Sequence, residues 1–124
     1  MSTKVLMVED HADTSQVVAL LLGVEGIAVV TAQNGYEGLT KAEAEKPNLI
    51  IADLELPQLD GIEMIRQLRQ KSEFANVPIL VFTSHAGKLA TAAIEAGADG
   101  VLSKTTNFDS LIGTVKSLLH PQGN

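Results

Sequence analysis

The apolar run Leu49–Ala52 is the feature that most restricts the fold, because four consecutive apolar residues leave no polar face for solvent. A strand without polar alternation is buried on both sides, as in the parallel sheets of α/β proteins. Asp53 ends this run, and Pro57 with Asp60-Gly61 then predicts a turn in which Asp60 caps the next helix. Because ligands of open parallel sheets bind outside the carboxyl ends of the strands, we expect a functional site at Asp53.

A second acidic cluster follows another apolar run, since Glu9 and Asp10 come directly after residues 5–8. If the two strands are neighbours, three carboxylates meet at one edge of the sheet. Two unit negative charges about 4 Å apart repel by roughly 4 kcal/mol at an effective dielectric constant of 20. The arrangement therefore requires a compensating cation, either a lysine or a divalent metal, and oxygen ligands in a partly hydrated site favour Mg²⁺.

Length and composition fit one cytoplasmic domain over residues 1–124. Hydrophobic residues make up 45% of the chain, with one Tyr, three Phe and no Trp, so the core must be aliphatic. The formal charge of −6 argues against direct nucleic-acid or membrane partners, which need clustered Lys and Arg. The lack of cysteine excludes disulfides and thiolate metal sites, and the N-terminal apolar run is too short for a signal peptide or a membrane span.

Strand and helix patterns alternate five times along the chain with short connections. The predicted strands cover residues 4–8, 27–32, 49–53, 77–82 and 101–103, and the predicted helices cover residues 13–23, about 35–46, about 62–68, 86–96 and 108–119. This alternation predicts an α/β fold, a doubly wound sandwich on a parallel sheet.

The first helix has a predicted N-cap at Asp13. Val17, Leu20, Leu21 and Val24 recur at helical spacing and are predicted to form one apolar face, with Val18 and Leu22 beside them. His11, just before this helix, is predicted to be a solvated loop residue near the rim of the acidic site.

The chain resembles the receiver domain of bacterial two-component response regulators over essentially its whole length. The resemblance rests on Glu9-Asp10 after the first strand, Asp53 after the third with Pro57 and Asp60-Gly61 behind it, Thr83 after the fourth, Lys104 after the fifth, and the segment Ala96-Gly97-Ala98-Asp99-Gly100. Each motif alone is weak, whereas all of them in this order at the right strand ends are highly specific. The resemblance implies a flavodoxin-like (βα)5 sandwich with parallel strand order 2-1-3-4-5.

The resemblance also implies phosphoryl transfer to Asp53 from a phosphohistidine on a histidine kinase or a histidine phosphotransfer protein. Asp53, Lys104 and Thr83 would be the catalytic residues. The Lys104 ammonium would pair first with Asp53 and then with the phosphoryl oxygens, which the Thr83 hydroxyl and the Ser84 N–H would also bind.

Mg²⁺ is the cofactor that the resemblance implies. Asp10 and Asp53 would hold it directly, the backbone carbonyl of Glu55 would add a ligand, and Glu9 would act largely through water. Glu55 and His85, each two residues after a site residue, are predicted to tune how fast the acyl phosphate hydrolyses.

The output would pass through the face formed by the fourth helix, the fifth strand and the fifth helix, which would contact an output partner or a second copy. Two positions depart from the family pattern. Thr105 replaces the usual proline after Lys104, which predicts a trans peptide bond or a rearranged loop. Val101 replaces the usual Tyr or Phe, which indicates a weaker or different route of output.

Two other classes of function remain open. An aspartyl-phosphate phosphohydrolase would use the same nucleophile, but such enzymes usually carry a second Asp where this chain has Glu55. A degenerate receiver would act only as a protein-binding module and would not need three acids. The expected domain catalyses its own phosphorylation and dephosphorylation without turning over an external substrate, and it is either a stand-alone regulator or part of a longer protein.

Overall fold

The structure, a computed structural model, describes residues 3–84 and 86–120. Within these residues, five strands alternate with five α-helices. The strands are β1 (Thr3–Val8), β2 (Ile27–Ala32), β3 (Leu49–Ala52), β4 (Ile79–Thr83) and β5 (Gly100–Ser103). The helices are α1 (Ala12–Val24), α2 (Gly35–Glu45), α3 (Gly61–Arg69), α4 (Ala86–Ala96) and α5 (Phe108–Leu119), and a 3₁₀ turn covers Ser72–Phe74.

All five strands belong to one parallel sheet in the order β2-β1-β3-β4-β5. The predicted doubly wound fold and its strand order are therefore confirmed. Val8 of β1 pairs with Ala32 of β2 on one side and with Ala52 of β3 on the other. This register aligns the carboxyl ends of the three strands, so the residues that follow them leave the sheet side by side.

Helices cover both faces of the sheet and divide the core into two apolar layers. One layer joins the sheet to α1 and α5 through Val18, Leu22, Leu111 and Val115. The other joins it to α2, α3 and α4 and includes Ala42, Met64, Ile65, Leu68 and Ala93. Residues 49–52 of β3 are fully buried, which confirms the central strand inferred from its unbroken apolar run.

Helix α1 differs from its prediction in both its cap and its inner face. It begins at Ala12 with His11 in the N-cap position, so the predicted cap at Asp13 is wrong, and Asp13 lies in the first turn. Ser15, Val18 and Leu22 are the buried residues, whereas Leu20 and Val24 are 70% and 77% exposed. Val18 and Leu22, predicted beside the apolar face, are therefore its buried part, and the hydrophobic spacing alone did not separate them from the exposed residues.

Arg69, at the C-terminal end of α3, binds several loop residues at the edge of the sheet opposite the acidic cluster. Its guanidinium donates hydrogen bonds to the carbonyls of Phe74 at 2.6 Å, Val77 at 2.8 Å and Gly97 at 3.0 Å. It also forms an ion pair with Asp99 at 2.9 Å. The end of α4, which Gly97 follows, is thereby fixed to α3.

Within residues 3–84 and 86–120, no helix has the length and apolar content that a membrane span requires.

Candidate phosphoryl-transfer site

Backbone hydrogen bonds continue the sheet past its last paired residues and bring the predicted site residues together. The Asp53 N–H donates to the carbonyl of Val8 at 3.0 Å. The Lys104 N–H donates to the carbonyl of Thr83 at 2.9 Å. Asp53, Lys104 and the two acids after β1 therefore meet at the carboxyl edge of the sheet, where the sequence predicted a functional site.

Glu9 is the most buried acid of the site, with 1% of its surface exposed. Its Oε2 accepts hydrogen bonds from the backbone N–H of His11 at 3.1 Å and from the His11 ring, whose Nδ1 is 2.8 Å away. Its Oε1 lies 2.7 Å from the Lys104 Nζ. This second contact is an ion pair by distance, although no described donor is aligned with Oε1 in hydrogen-bonding geometry.

The Lys104 ammonium lies between two buried carboxylates, at 2.7 Å from Glu9 Oε1 and 3.0 Å from Asp53 Oδ2. Burial lowers the pKa of Lys104, but its interactions with Glu9 and Asp53 outweigh burial and raise the pKa above its ordinary value. The ammonium is therefore charged at neutral pH and offsets part of the negative charge. The resemblance implied the pairing of Lys104 with Asp53 and placed Glu9 at the site, but it did not predict the contact between Lys104 and Glu9.

Four side chains offer ligand atoms that one cation could bridge. A carboxylate oxygen from each of Glu9, Asp10 and Asp53 and a ring nitrogen of His11 lie within 4.8 Å of one another. Hard oxygen donors in this number fit Mg²⁺, which uses one or two carboxylates and keeps several waters. Asp10 is partly exposed and leaves room for those waters.

His11 lies at the rim, with 68% of its side chain exposed and its Nδ1 3.3 Å from Asp10 Oδ1. The hydrogen bond to Glu9 and the nearby charge of Asp10 raise the pKa of His11 above its ordinary value. The sequence predicted its solvation but not its contacts with both acids.

The loop between β3 and α3 holds Asp53 through close backbone packing. Asp60 caps α3 by accepting a hydrogen bond from the Glu63 N–H at 2.9 Å, as predicted. A Cβ on Gly61 would lie 2.2 Å from the carbonyl oxygen of Asp53, so only glycine fits there. The Glu55 N–H donates to Asp53 Oδ1 at 3.3 Å, and Gln58 adopts a left-handed φ of +68°.

The predicted phosphoryl-binding residues follow β4. Thr83 is fully buried at the end of this strand, and Ser84 after it is exposed. His85 lies outside the described residues, so its predicted tuning role remains a prediction.

The loop after Lys104 is held by hydroxyl groups. The Thr105 N–H donates to the Ser103 Oγ at 3.1 Å, and the Ser103 and Thr105 hydroxyls are 2.7 Å apart. No cis peptide bond occurs among residues 3–84 and 86–120, in agreement with the trans bond predicted before Thr105. Val101 is partly buried and packs against the apolar layer beneath α4.

Comparison with protein families identifies the class to which this fold and site belong. Residues 5–116 match the model of the response regulator receiver domain, so the chain belongs to this family.

Individual relatives agree with this assignment. The chain is 38% identical over 120 residues to the alkaline phosphatase synthesis transcriptional regulatory protein PhoP of Bacillus subtilis, covering 96% of this chain and 49% of that protein. This chain therefore spans about half the length of that relative.

Two solved structures show the same fold. The chemotaxis response regulator CheY4 of Vibrio cholerae superposes with a TM-score of 0.89 at 31% identity, covering 95% of this chain and 99% of that chain. The receiver domain of the sensor histidine kinase PA1611 of Pseudomonas aeruginosa, which has a magnesium ion coordinated in its active-site cleft, gives a TM-score of 0.89 at 25% identity, covering 97% and 99%.

Proposed function

We propose that this receiver domain accepts a phosphoryl group on Asp53 from the phosphohistidine of a histidine kinase or a histidine phosphotransfer protein. One observation carries the proposal: the carboxylates of Glu9, Asp10 and Asp53 converge, and the Lys104 ammonium lies 3.0 Å from Asp53. Phosphoryl transfer needs positioning and charge neutralisation more than it needs an acid or a base. A buried acid beside a fixed ammonium and a cation site meets that requirement.

Asp10, Asp53 and the backbone carbonyl of Glu55 would hold Mg²⁺, and Glu9 would act through water. When bound, the ion would supply positive charge that neutralises these acids and the incoming phosphoryl oxygens. The indirect role of Glu9 is supported by its two oxygens, which already contact Lys104 and His11.

In the transfer step, a carboxylate oxygen of Asp53 bonds to phosphorus as the P–N bond of the donor phosphohistidine breaks. The electron pair of that bond remains on the imidazole nitrogen, which takes up a proton from solvent. Lys104 passes from the Asp53 carboxylate to a phosphoryl oxygen, and the Thr83 hydroxyl and the Ser84 N–H bind the other oxygens. Glu55, exposed two residues after Asp53, and His85 would tune the later hydrolysis of the acyl phosphate.

The proposed output surface is formed by α4, β5 and α5. Strand β5 is an edge strand whose four residues are all partly exposed. Ile94 of α4 and Phe108 of α5 are 49% and 38% exposed, which supports contact with an output partner or a second copy. The proposal includes a cytoplasmic location, which is consistent with a chain that has no cysteine.

The test is incubation with Mg²⁺ and a small phosphodonor, followed by intact mass measurement. The parent protein is expected to gain the mass of one phosphoryl group, and Asp53→Asn is expected to gain none. Asp109→Asn, the same chemical change at an exposed position in the first turn of α5, is the matched control and should be labelled like the parent. EDTA should abolish labelling, and Lys104→Ala should slow it.

Other outcomes would identify the alternatives. Labelling of Asp53→Asn equal to that of the parent would exclude Asp53 as the acceptor. Steady turnover of a phosphoester substrate would indicate a phosphohydrolase. A parent protein that binds a partner but is never labelled would be a binding module.

A further inference from the structure

A short turn follows β5 and carries Lys104, and the Ser103 side chain forms hydrogen bonds within this turn. The Thr106 N–H donates to the Ser103 carbonyl at 3.0 Å, which closes a four-residue turn with Lys104 in its second position. The Thr105 N–H donates to the Ser103 Oγ at 3.1 Å, and the Thr105 hydroxyl lies 2.7 Å from the same oxygen. Ser103 therefore binds the turn through its backbone and also through its side chain.

We propose that Ser103 is a positioning residue for phosphoryl transfer, because its hydroxyl holds the turn in the conformation that places the Lys104 ammonium beside Asp53. The inference rests on the proposed function in one respect, since it assigns Ser103 to the reaction at Asp53. The ammonium is in place before a phosphoryl group arrives, so its positioning by Ser103 can also be measured without a phosphodonor.

The sheet holds Lys104 from one side, and the turn holds it from the other. Ser103 is the last residue of β5 and pairs with Thr83, and the Lys104 N–H donates to the Thr83 carbonyl at 2.9 Å. Beyond this bond, the turn sets the direction in which the Lys104 side chain leaves the backbone. The ammonium at its end lies 2.7 Å from Glu9 Oε1 and 3.0 Å from Asp53 Oδ2. Because the lysine stem is long and flexible, a fixed backbone lowers the conformational entropy that these contacts cost.

The hydroxyl of Ser103 has this role because residue 105 is a threonine. A proline would restrict φ through its ring, but it has no N–H and could not donate to the Ser103 Oγ. Thr105 lacks the ring and has the N–H, so the hydrogen bond to Ser103 supplies the constraint instead. Thr105 is exposed and Ser103 is partly exposed, so water could replace the lost hydroxyl at little cost in stability. Removal of the hydroxyl should therefore affect the position of Lys104 more than the stability of the fold.

Three variants separate the hydroxyl of Ser103 from other effects of substitution. Ser103→Ala removes the acceptor, whereas Ser103→Thr keeps a hydroxyl on the same carbon and suits the end of a strand. Ser110→Ala, in the first turn of α5, is the matched control, because the described hydrogen bonds of Ser110 use its backbone N–H and carbonyl. The urea midpoints of Ser103→Ala and Ser110→Ala should agree closely, which separates a loss of positioning from a loss of the fold.

The first measurement follows the Lys104 ammonium by NMR without a phosphodonor. Its signal is identified by its absence from Lys104→Ala, and the exchange of its protons with water reports how firmly the carboxylates hold it. Ser103→Ala should accelerate this exchange at least about fivefold, whereas Ser103→Thr and Ser110→Ala should exchange like the parent. Equal exchange in Ser103→Ala and the parent would overturn the inference, and so would fast exchange in Ser103→Thr.

The second measurement is the rate of mass labelling with Mg²⁺ and a small phosphodonor. Ser103→Ala should lower the rate at saturating donor about tenfold and change the donor concentration at half-maximal rate less than about twofold. In Lys104→Ala protein, Ser103→Ala should cause no further loss, because Ser103 acts through Lys104. A further loss in that protein would overturn the inference. A parent protein that is never labelled would instead contradict the proposed function, and the ammonium exchange would then decide whether Ser103 positions Lys104.

Discussion

At the scale of single residues, Glu9 connects two other residues of the site. It contacts the backbone and ring of His11 with one carboxylate oxygen and Lys104 with the other. A neutral side chain of the same shape would keep the packing but lose both charge interactions.

Glu9→Gln is therefore expected to lower the pKa of His11 towards its ordinary value, because the hydrogen bond to Glu9 is the main cause of the raised pKa. Histidine NMR titration of metal-free protein measures this, with the His120 signal as an internal reference. The raised folded-state pKa means that the contact stabilises the fold below the unfolded-state pKa, and this contribution is lost as the pH rises through the folded-state pKa. An unchanged His11 titration in the variant would show that Glu9 does not cause the shift.

Gln58 belongs to the residue scale as well, because its left-handed φ of +68° strains a side chain that has a Cβ. Gln58→Gly should relieve this strain and raise the free energy of unfolding by roughly 1 kcal/mol. Gln67→Gly, inside α3, is the control with the opposite sign and should lower it by about 1 kcal/mol. Urea unfolding of both variants measures the difference, and destabilisation by Gln58→Gly would contradict the strained conformation.

At the scale of elements, the start of α3 fixes the position of Asp53 by direct backbone contact. A Cβ on Gly61 would lie 2.2 Å from the Asp53 carbonyl oxygen and 2.8 Å from the Leu54 Cα. Gly61→Ala should therefore move α3 or the Asp53 backbone, lower the free energy of unfolding by about 1–3 kcal/mol, and slow phosphorylation.

The control for this prediction is Gly23→Ala in α1, where a Cβ meets nothing within 4 Å. Alanine should stabilise that helix by about 0.5–1 kcal/mol. Urea unfolding and the rate of mass labelling check both variants. Equal stability and equal labelling of Gly61→Ala and the parent would show that the loop accommodates the added methyl group without destabilising the fold.

Helix α1 allows a direct comparison of the predicted and observed inner faces. Leu22, which the sequence placed beside the apolar face, is fully buried between α1 and the sheet, whereas Leu20, which it placed on that face, is 70% exposed. Leu22→Ala should lower the free energy of unfolding by about 2–5 kcal/mol, and Leu20→Ala should change it by less than about 0.5 kcal/mol. Similar losses in the two variants, measured by urea unfolding, would support the face predicted from the sequence.

At the scale of the whole molecule, the sequence pattern predicted the alternation of strands and helices and the parallel sheet, and the resemblance to receiver domains implied the strand order. The bounds of α4 and α5 agree with the structure because glycine ends the first and Asn107 caps the second. The unbroken apolar run of β3 identified the central strand, since such a run is stable only when both of its faces are covered.

Other features of α1 and of the site were not predicted from the sequence. The face of α1 was mistaken because apolar residues occur on both sides of the helix, while small Ser15 packs inward. The cap at Asp13 was wrong because the helix begins at Ala12, directly after His11, whose backbone N–H is bound by Glu9. The pairing of Lys104 with Glu9 depends on the positions of β1 and β5 in the folded sheet, which no local pattern reports.

The hydrogen bonds of Arg69 affect how a structural change at Asp53 would displace α4. They anchor the Gly97 end of α4 to α3, while the other end of α4 follows the loop after Thr83. A helix that is anchored at one end can be displaced most at its other end. Any rearrangement of this helix should therefore be a rotation about a fixed end, with its largest displacement at the end that follows Thr83 and little displacement at the end beside Gly97.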